Sequence, residues 1–289
     1  MAGQGAIRFA AAATALAAAW GPVPGPARAA PRAGPAECRA AASRTDSLDR
    51  LGPRGEIALA SGARVLLGSL HWPEDPAAAA SAAAWLDRHR GRSLTVTARG
   101  EPDRWGRSRI DAILDPEDAG GEPTDLAGGL IRAGLAQVDA GEGDVLCRPG
   151  LLALEEGARR AGLGLWGAPG PGAQDGAALR AAAGRFVVAR GRIVGVGERS
   201  ARTYLDFVRR GEDGLTVIVS KRTWRRLQEH GLSAAGLKGR VVRVRGIIEI
   251  GRGPVMDVAS AEMIEVLGDD DERGEDPQAG PERERALRR

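Results

Sequence analysis

A run of prolines and glycines near the middle of the chain does most to constrain its fold. The stretch GAPGPGAQDG, from Gly167 to Gly176, has no hydrophobic periodicity, and its closely spaced helix breakers exclude a continuous helix. Segments of alternating hydrophobic and polar residues lie on both sides of it. We therefore predict two small domains, at residues 50–167 and 178–268, joined by a linker at residues 168–177.

The two ends of the chain differ in composition from these domains. Residues 1–29 combine a short polar start, an apolar run and the tripeptide Ala27-Arg28-Ala29, which is the pattern of a secretory signal peptide with its cleavage site. We expect disorder in the Pro- and Ala-rich lead at residues 30–49 and in the charged tail at residues 269–289. The apolar run is too short for a permanent membrane span, so we expect a periplasmic or secreted protein. An uncleaved membrane anchor is the alternative.

Export bears on how the two cysteines are interpreted. An oxidising compartment allows Cys38 and Cys147 to pair, and the bond would close a loop between positions 109 residues apart. We predict this disulfide, with two unpaired buried thiols as the alternative. The remaining metal-binding residue types are sparse, because the chain has three histidines spread along its length. This pattern does not suggest a zinc site.

Charge is distributed unevenly between the two domains. Residues 38–168 contain 16 basic and 19 acidic side chains, whereas residues 178–268 contain 17 basic and 9 acidic, a net charge of +8. A polyanion is therefore expected to be attracted to the second domain. All basic residues except Lys221 and Lys238 are arginine, so a compositional bias is the alternative source of this charge.

Hydrophobic periodicity predicts a small barrel in the first domain. Alternation around Ser61 and Gly62 predicts a hairpin, and SLTVTAR and SRIDAIL predict two further strands. Asp75 and Pro76 begin an alanine-rich helix. A short helix capped by Thr124, a strand and the helix LLALEEGARRAGLGLW complete the domain. This order is the outline of a Greek-key barrel with flanking helices.

Three motifs of this domain resemble a known family. They are the corner DRWGR at residues 103–107, the helix and strand DLAGGLIRAGLAQV, and the helix that ends in GLGLW. Together they are similar to the staphylococcal nuclease (thermonuclease) domain over residues 50–167. The resemblance implies an OB-fold barrel that cleaves phosphodiester bonds. It also implies a calcium ion held by two aspartates, a glutamate as general base and two arginines on the phosphate.

The same resemblance implies that most of this catalytic set is missing. When the family's active-site segment is aligned with LLGSLHWPED, Glu74 matches the general base and Arg107 matches one arginine. Leu66 occupies the position of the other arginine, and Gly55 and His71 occupy those of the two calcium aspartates. Ca²⁺ requires carboxylate and carbonyl oxygens, for which an imidazole is a poor substitute. We therefore expect no metal and no cofactor.

Two local rearrangements could restore catalytic activity at this site. Arg64 lies two residues before Leu66, so it shares a strand face with the missing arginine and could replace it. His71 and Glu74 could hold a transition metal such as zinc, although two ligands do not make a site. The alternative function is therefore an active Ca²⁺-dependent endonuclease with a rearranged site.

The second domain has its own pattern of strands. Three strands, a helix within RTWRRLQEHG and two further strands follow in OB-fold order. The order resembles the OB-type nucleic-acid-binding domains appended to some bacterial thermonuclease-like proteins. Alternation in VVRVRG places Arg243 and Arg245 on one strand face, where they could bind single-stranded nucleic acid or another polyanion. Tyr204 or Phe207 would supply a stacking surface. The alternative is a solvated strand face with no ligand.

These observations predict a mainly β protein with flanking helices, of the α+β class, built from two OB-fold barrels in tandem. We expect an exported thermonuclease-like protein with a degenerate catalytic site. Its expected role is to bind nucleic acid, another polyanion or an envelope protein partner rather than to act as an enzyme. A structural envelope protein without affinity for polyanions is a third possibility.

Overall fold

The computed structural model describes residues 35–116, 123–141, 143 and 145–268. The predicted signal peptide and charged tail lie outside these residues, as does the beginning of the lead. The later part of the lead is ordered into a 3-10 turn at Ala36–Cys38 and the start of the strand Arg44–Leu51. The expectation of disorder across residues 30–49 is therefore wrong for this part. The physical reason is that Leu48 is buried in the hydrophobic core.

Five strands of the first domain close into a mixed β-barrel. The elements of this part are β1 (Arg44–Leu51), β2 (Ile57–Leu59), β3 (Arg64–Leu67), β4 (Leu70–His71), α1 (Pro76–Asp87), β5 (Ser93–Arg99) and β6 (Ser108–Leu114). Strands β1, β2, β3, β6 and β5 follow one another around the barrel, and β5 pairs back with β1. The pairing of β3 with β6 is parallel and the others are antiparallel. The barrel is compatible with an OB-like fold.

Hydrophobic alternation builds the interior of this barrel. The inward-facing residues of β5 and β6 are buried, namely Leu94, Val96, Ile110, Ala112 and Leu114. Helix α1 begins where the sequence predicts, because the Asp75 side chain accepts a hydrogen bond from the Ala78 N–H at 2.9 Å and Pro76 fits the first turn. Ala82 and Leu86 of this helix are buried against the barrel.

The rest of the first domain adds two helices beside the barrel. Its elements are β7 (Thr124–Asp125), α2 (Leu126–Arg132), β8 (Gln137–Val138), α3 (Leu151–Arg160) and a 3-10 turn at Gly164–Trp166. Asp125 caps α2 instead of the expected Thr124, because its carboxylate accepts a hydrogen bond from the Gly128 N–H. The disulfide between Cys38 and Cys147 is present, which confirms that prediction.

The segment predicted as a linker is anchored to the second domain. Ala173 is buried; its N–H donates to the Arg190 carbonyl and its own carbonyl accepts from the Leu215 N–H, both at 2.8 Å. Helix α4 (Gly176–Ala181) follows and is capped by the side chain of Asp175. The prolines and glycines therefore interrupt secondary structure, while backbone hydrogen bonds hold the segment in place.

The second domain contains two sheets and a helical layer. Its elements are β9 (Phe186–Arg192), β10 (Gly195–Glu198), β11 (Arg202–Asp206), β12 (Thr216–Ser220), α5 (Lys221–Glu229), α6 (Ala234–Leu237), β13 (Val241–Ile247), β14 (Glu249–Ile250), β15 (Pro254–Val258), a 3-10 turn at Ala261–Met263 and β16 (Ile264–Val266). One sheet has the order β10-β11-β12-β15-β14 and the other has the order β16-β13-β9. The pairing of β12 with β15 is parallel. Trp224 and Leu227 of α5 are buried, as the helix pattern predicted.

The described residues are mainly β with a few helices. The described residues belong to one compact unit, and buried hydrophobic residues from both sides of the predicted linker form one continuous cluster, so the terms first and second domain denote the predicted residue ranges. Within this part of the chain, no helix combines the length and the hydrophobicity needed to cross a membrane.

Candidate functional site

The corner that carries Arg107 is held together by its own side chains. Gly106 adopts a left-handed conformation with φ of 73°, and the Arg107 N–H and Nε–H donate to the two carboxylate oxygens of Asp103 at 2.9 and 2.8 Å. The Nη1 atom of Arg107 also donates to Glu56 at 3.1 Å. Although desolvation acts in the opposite direction, hydrogen bonds from Arg107 and Trp105 lower the pKa of Asp103 below its usual value. Arg107 thus binds two carboxylates of the protein itself.

The position that the resemblance assigns to the first calcium aspartate is covered by a tryptophan. Gly55 has a φ of 75°, and a Cβ atom placed on it would lie 2.5 Å from Cδ2 of Trp72. A carboxylate at this position would require both a strained backbone and displacement of the indole ring. His71 supplies an imidazole at the second position. The residues present therefore do not fit a calcium ion.

Glu74, which the resemblance assigns to the general base, contacts the second domain. Its Oε1 atom accepts a hydrogen bond from the Phe186 N–H at 3.3 Å and lies 3.2 Å from Nε2 of His71. The His71 ring also stacks on the Phe186 ring, with 4.3 Å between ring centroids, and its Nδ1 atom lies 3.7 Å from Asp139. Glu74 and His71 therefore form a contact between the domains.

The structure supports neither of the two rearrangements that the sequence suggested. The Nη2 atom of Arg64 donates to the backbone carbonyl of Trp105 at 2.8 Å, so this arginine supports the corner. Leu66 is half-buried and lines the neighbouring cleft. Among the residues that the structure describes, no group of three or more His, Cys, Asp or Glu side chains is placed to hold a metal ion.

A cleft of about 910 Å³ lies beside these residues, between the two domains. Its walls are hydrophobic in part, with Trp72, Phe186 and Ile247 among them. Its charged lining is mixed and consists of Arg54, Arg109, Arg245, Glu74, Asp139, Glu249 and Asp257. Because carboxylates outnumber guanidinium groups in this lining, the electrostatics of the cleft do not favour a polyanion.

The predicted nucleic-acid-binding face of β13 is covered. Arg243 and Arg245 do share one face, but they are only 3% and 1% exposed, so the expectation of an accessible arginine face is wrong. Helix α3 lies over this face: Arg245 pairs with Glu155 and Arg243 donates to Glu156 at 3.1 Å. Glu265 of the neighbouring strand also pairs with Arg245. Strand alternation predicts which residues share a face, but it does not predict what covers that face.

The predicted stacking residues do not form a platform. Phe207 is fully buried in the core, so its proposed role as an exposed stacking surface is wrong. Tyr204 is half-buried in β11, where it lies opposite Gly197 and Ile218 of the flanking strands. Phe207 is buried because inward-facing aromatic side chains of a small domain pack in its hydrophobic core.

A second cleft, of about 560 Å³, was not predicted from the sequence. It lies between α3, Trp166, the linker segment at residues 168–172, and strands β9 and β13. Among the described residues, the charged side chains that line it are all arginines: Arg159, Arg190, Arg192 and Arg243. We call it the arginine cleft. The alternation ARGR at the end of β9 is the sequence signal that could have indicated it.

No protein-family model matches this chain, and no curated protein matches it either. The similarity to the staphylococcal nuclease domain therefore depends on the sequence motifs and on an OB-like barrel in the same part of the chain.

Proposed function

We propose that this is a thermonuclease-like protein with a degenerate catalytic site that binds nucleic acid or another polyanion without cleaving it. The observation that carries the proposal is that the family's catalytic positions are engaged in structural contacts. Glu74 binds the backbone of Phe186, Arg107 binds Asp103, and the Trp72 ring covers the position of an absent carboxylate.

Physical chemistry explains why the remaining residues would not suffice for hydrolysis. Phosphodiester cleavage requires stabilisation of the charge that develops on the phosphate, and Gly55, Leu66 and His71 supply neither the carboxylates for a cation nor the second arginine. Glu74, whose Oε1 atom already accepts a hydrogen bond from the Phe186 N–H, adds little as a general base by itself, because the groups of a catalytic site act as a unit.

We further propose that the second domain is a second OB-type barrel. Three features support this proposal: the parallel pairing of β12 with β15 corresponds to that of β3 with β6, α5 follows β12 directly, and β13 pairs with β9. Continuation of β9 into β10 and of β13 into β14 would join the two sheets. Tandem OB folds are common scaffolds for nucleic-acid binding.

We also propose that the protein is exported to the periplasm or secreted. The signal-peptide pattern in the sequence supports this, and the Cys38–Cys147 disulfide is typical of proteins in oxidising compartments.

A cleavage and binding assay tests the proposed function. Labelled single-stranded and duplex DNA are incubated with the full mature chain, in millimolar calcium and in chelator, at several salt concentrations. We expect binding that weakens as salt increases, with no cleavage, and the same result for Glu74→Gln. Calcium-dependent cleavage that chelator or Glu74→Gln abolishes would establish the active endonuclease instead. The absence of both DNA binding and DNA cleavage would favour a structural or protein-binding role in the envelope.

A further inference from the structure

The cleft of about 910 Å³ between the two domains, which we call the interdomain cleft, has hydrophobic side chains on both walls. On the first-domain wall, Leu66 of β3 is half-buried and faces outward, because its neighbours Val65 and Leu67 are buried inside the barrel. On the second-domain wall, Phe186 of β9 lies directly opposite Ile247 of β13. Ile247 is 50% exposed. A ligand with an apolar body would shield these side chains from water.

Most charged side chains of this lining are already engaged within the protein. Four of the seven have ion pairs or accept hydrogen bonds from backbone N–H groups, namely Glu74, Asp139, Arg245 and Asp257. Among the residues that the structure describes, no hydrogen bond or ion pair engages the other three, Arg54, Arg109 and Glu249. Both of these arginines belong to the first-domain wall, whereas Glu249 belongs to the second. The first-domain wall therefore offers guanidinium groups to a ligand.

Arg109 lies beside the apolar surface of this wall. It is the partner of Leu66 in the parallel pairing of β3 with β6. A Cβ atom at Gly141 would lie 2.9 Å from both Nη atoms of Arg109, so the guanidinium group packs against the bare backbone of this glycine. Gly141 has a φ of 66°, which glycine tolerates best. The cleft thus combines a positioned, unengaged guanidinium group with an adjacent hydrophobic side chain.

We propose that the interdomain cleft binds an amphipathic monocarboxylate, with its carboxylate on Arg109 and its hydrocarbon chain against the apolar walls. A guanidinium group matches a carboxylate because two parallel N–H donors meet its two oxygens. Arg54 adds a second positive charge on the same wall. The cleft volume lies in the range of small-molecule sites.

The charge of the head group is restricted by the other side chains of the cleft. Glu74 and Asp139 also line it, and their carboxylates repel negative charge. A single negative charge can be balanced by Arg109, whereas a head group with two charges meets greater repulsion. The site is therefore distinct in its ligand from the nucleic acid of the proposed function, and it does not depend on that proposal.

Calorimetric titration of the full mature chain with octanoate and three matched probes tests this assignment. Octanoate should bind, and octanol, which has the same chain without the charge, should bind about tenfold more weakly. Acetate keeps the carboxylate but lacks the chain, so it should bind about 100-fold more weakly than octanoate or less tightly still. Octyl phosphate, whose head group carries more negative charge, should also bind more weakly than octanoate.

Variants of the two walls separate the head group from the chain. Arg109→Gln should weaken octanoate binding about tenfold and leave octanol binding unchanged, because it removes only the charged donor. Ile247→Gln, at an exposed position, should weaken the binding of both probes several-fold. Arg252→Gln is the matched control, since this exposed arginine does not line the cleft, and it should change neither affinity. Thermal unfolding verifies that each variant folds.

Three results would overturn the proposal. The first is an absence of octanoate binding by the wild-type protein. The second is octanoate affinity that equals that of octanol or that Arg109→Gln leaves unchanged, since either would separate binding from the guanidinium group. The third is tighter binding of octyl phosphate than of octanoate, which would exclude a site for monocarboxylates. None of these probes is a nucleic acid, so each result leaves the proposed function to its own assay.

Discussion

At the scale of single residues, Trp72 determines which side chains the position of Gly55 can hold. Its indole ring lies over Gly55, where the backbone has the positive φ that glycine tolerates best. Placing a carboxylate at this position would therefore not by itself create a calcium site, because the space above Gly55 is filled. The position that the resemblance assigns to a calcium ligand therefore differs from a calcium site in its packing as well as in its residue type.

Substitution of Gly55 tests this packing. We expect Gly55→Asp to destabilise the protein by more than the 1–3 kcal/mol or so associated with backbone strain alone, because the new Cβ also collides with Trp72. Gly62→Asp is the matched control: Gly62 has a φ of 85°, but nothing lies within 4 Å of its Cβ position. Chemical denaturation measures both. Equal losses in the two variants would show that Trp72 does not fill the site.

At the scale of elements, the docking of α3 on β13 joins the two domains. Glu155 and Arg245 are both fully buried at their side chains, and Glu155 also accepts a hydrogen bond from the Val138 N–H at 2.7 Å. Removing one partner of such a pair leaves an uncompensated buried charge, which costs about 3–5 kcal/mol. The contact therefore specifies one arrangement of helix and sheet, and it explains why the basic face of β13 is inaccessible.

Acid should weaken this docking through Glu156. Arg159, Arg243 and Arg160 lower its pKa in the folded state, against the effect of burial, from an ordinary value of 4.5. A carboxyl group with a lowered folded pKa stabilises the protein above its unfolded pKa, and this stabilisation is lost as the pH falls through the folded pKa. We therefore expect Glu156→Gln to be less stable than wild type by about 1.5–3 kcal/mol at pH 7. The difference should shrink below pH 4.5.

Urea denaturation at pH 7, 4 and 3 measures this dependence. Glu229→Gln, at an exposed position of α5, is the control and should differ little from wild type at each pH. A deficit for Glu156→Gln that stays constant across the pH series would contradict the assignment of the stabilisation to the ionised carboxylate.

At the scale of the whole molecule, one disulfide and one continuous core unite distant parts of the sequence. The Cys38–Cys147 bond joins the turn before the barrel to the loop before α3, across a separation of 109 residues. The core cluster includes residues of both domains. Long-range closure of this kind restricts the unfolded chain more than a short loop would.

Loss of this bond should reduce stability without unfolding the protein. In the chain-entropy model, Cys38→Ser/Cys147→Ser should be less stable than wild type by about 4–5 kcal/mol at most. Calorimetry measures the change, and reductant should lower the melting temperature of wild type while leaving that of the variant unchanged. Two reactive thiols in unreduced, denatured wild-type protein would contradict the bond.

Local sequence patterns were sufficient to predict much of the fold. Alternation alone predicted the bounds of β5 and β6, and the Asp75-Pro76 signal predicted the start of α1, because strand faces and helix caps depend on neighbouring residues. The pairing of the two cysteines also followed from the sequence.

Only the tertiary structure decided which faces are exposed. Arg243 and Arg245 share a face by alternation, but the element that covers it is α3, more than 80 residues away along the chain. Burial, and with it the location of a binding surface, depends on contacts between segments that no local pattern encodes.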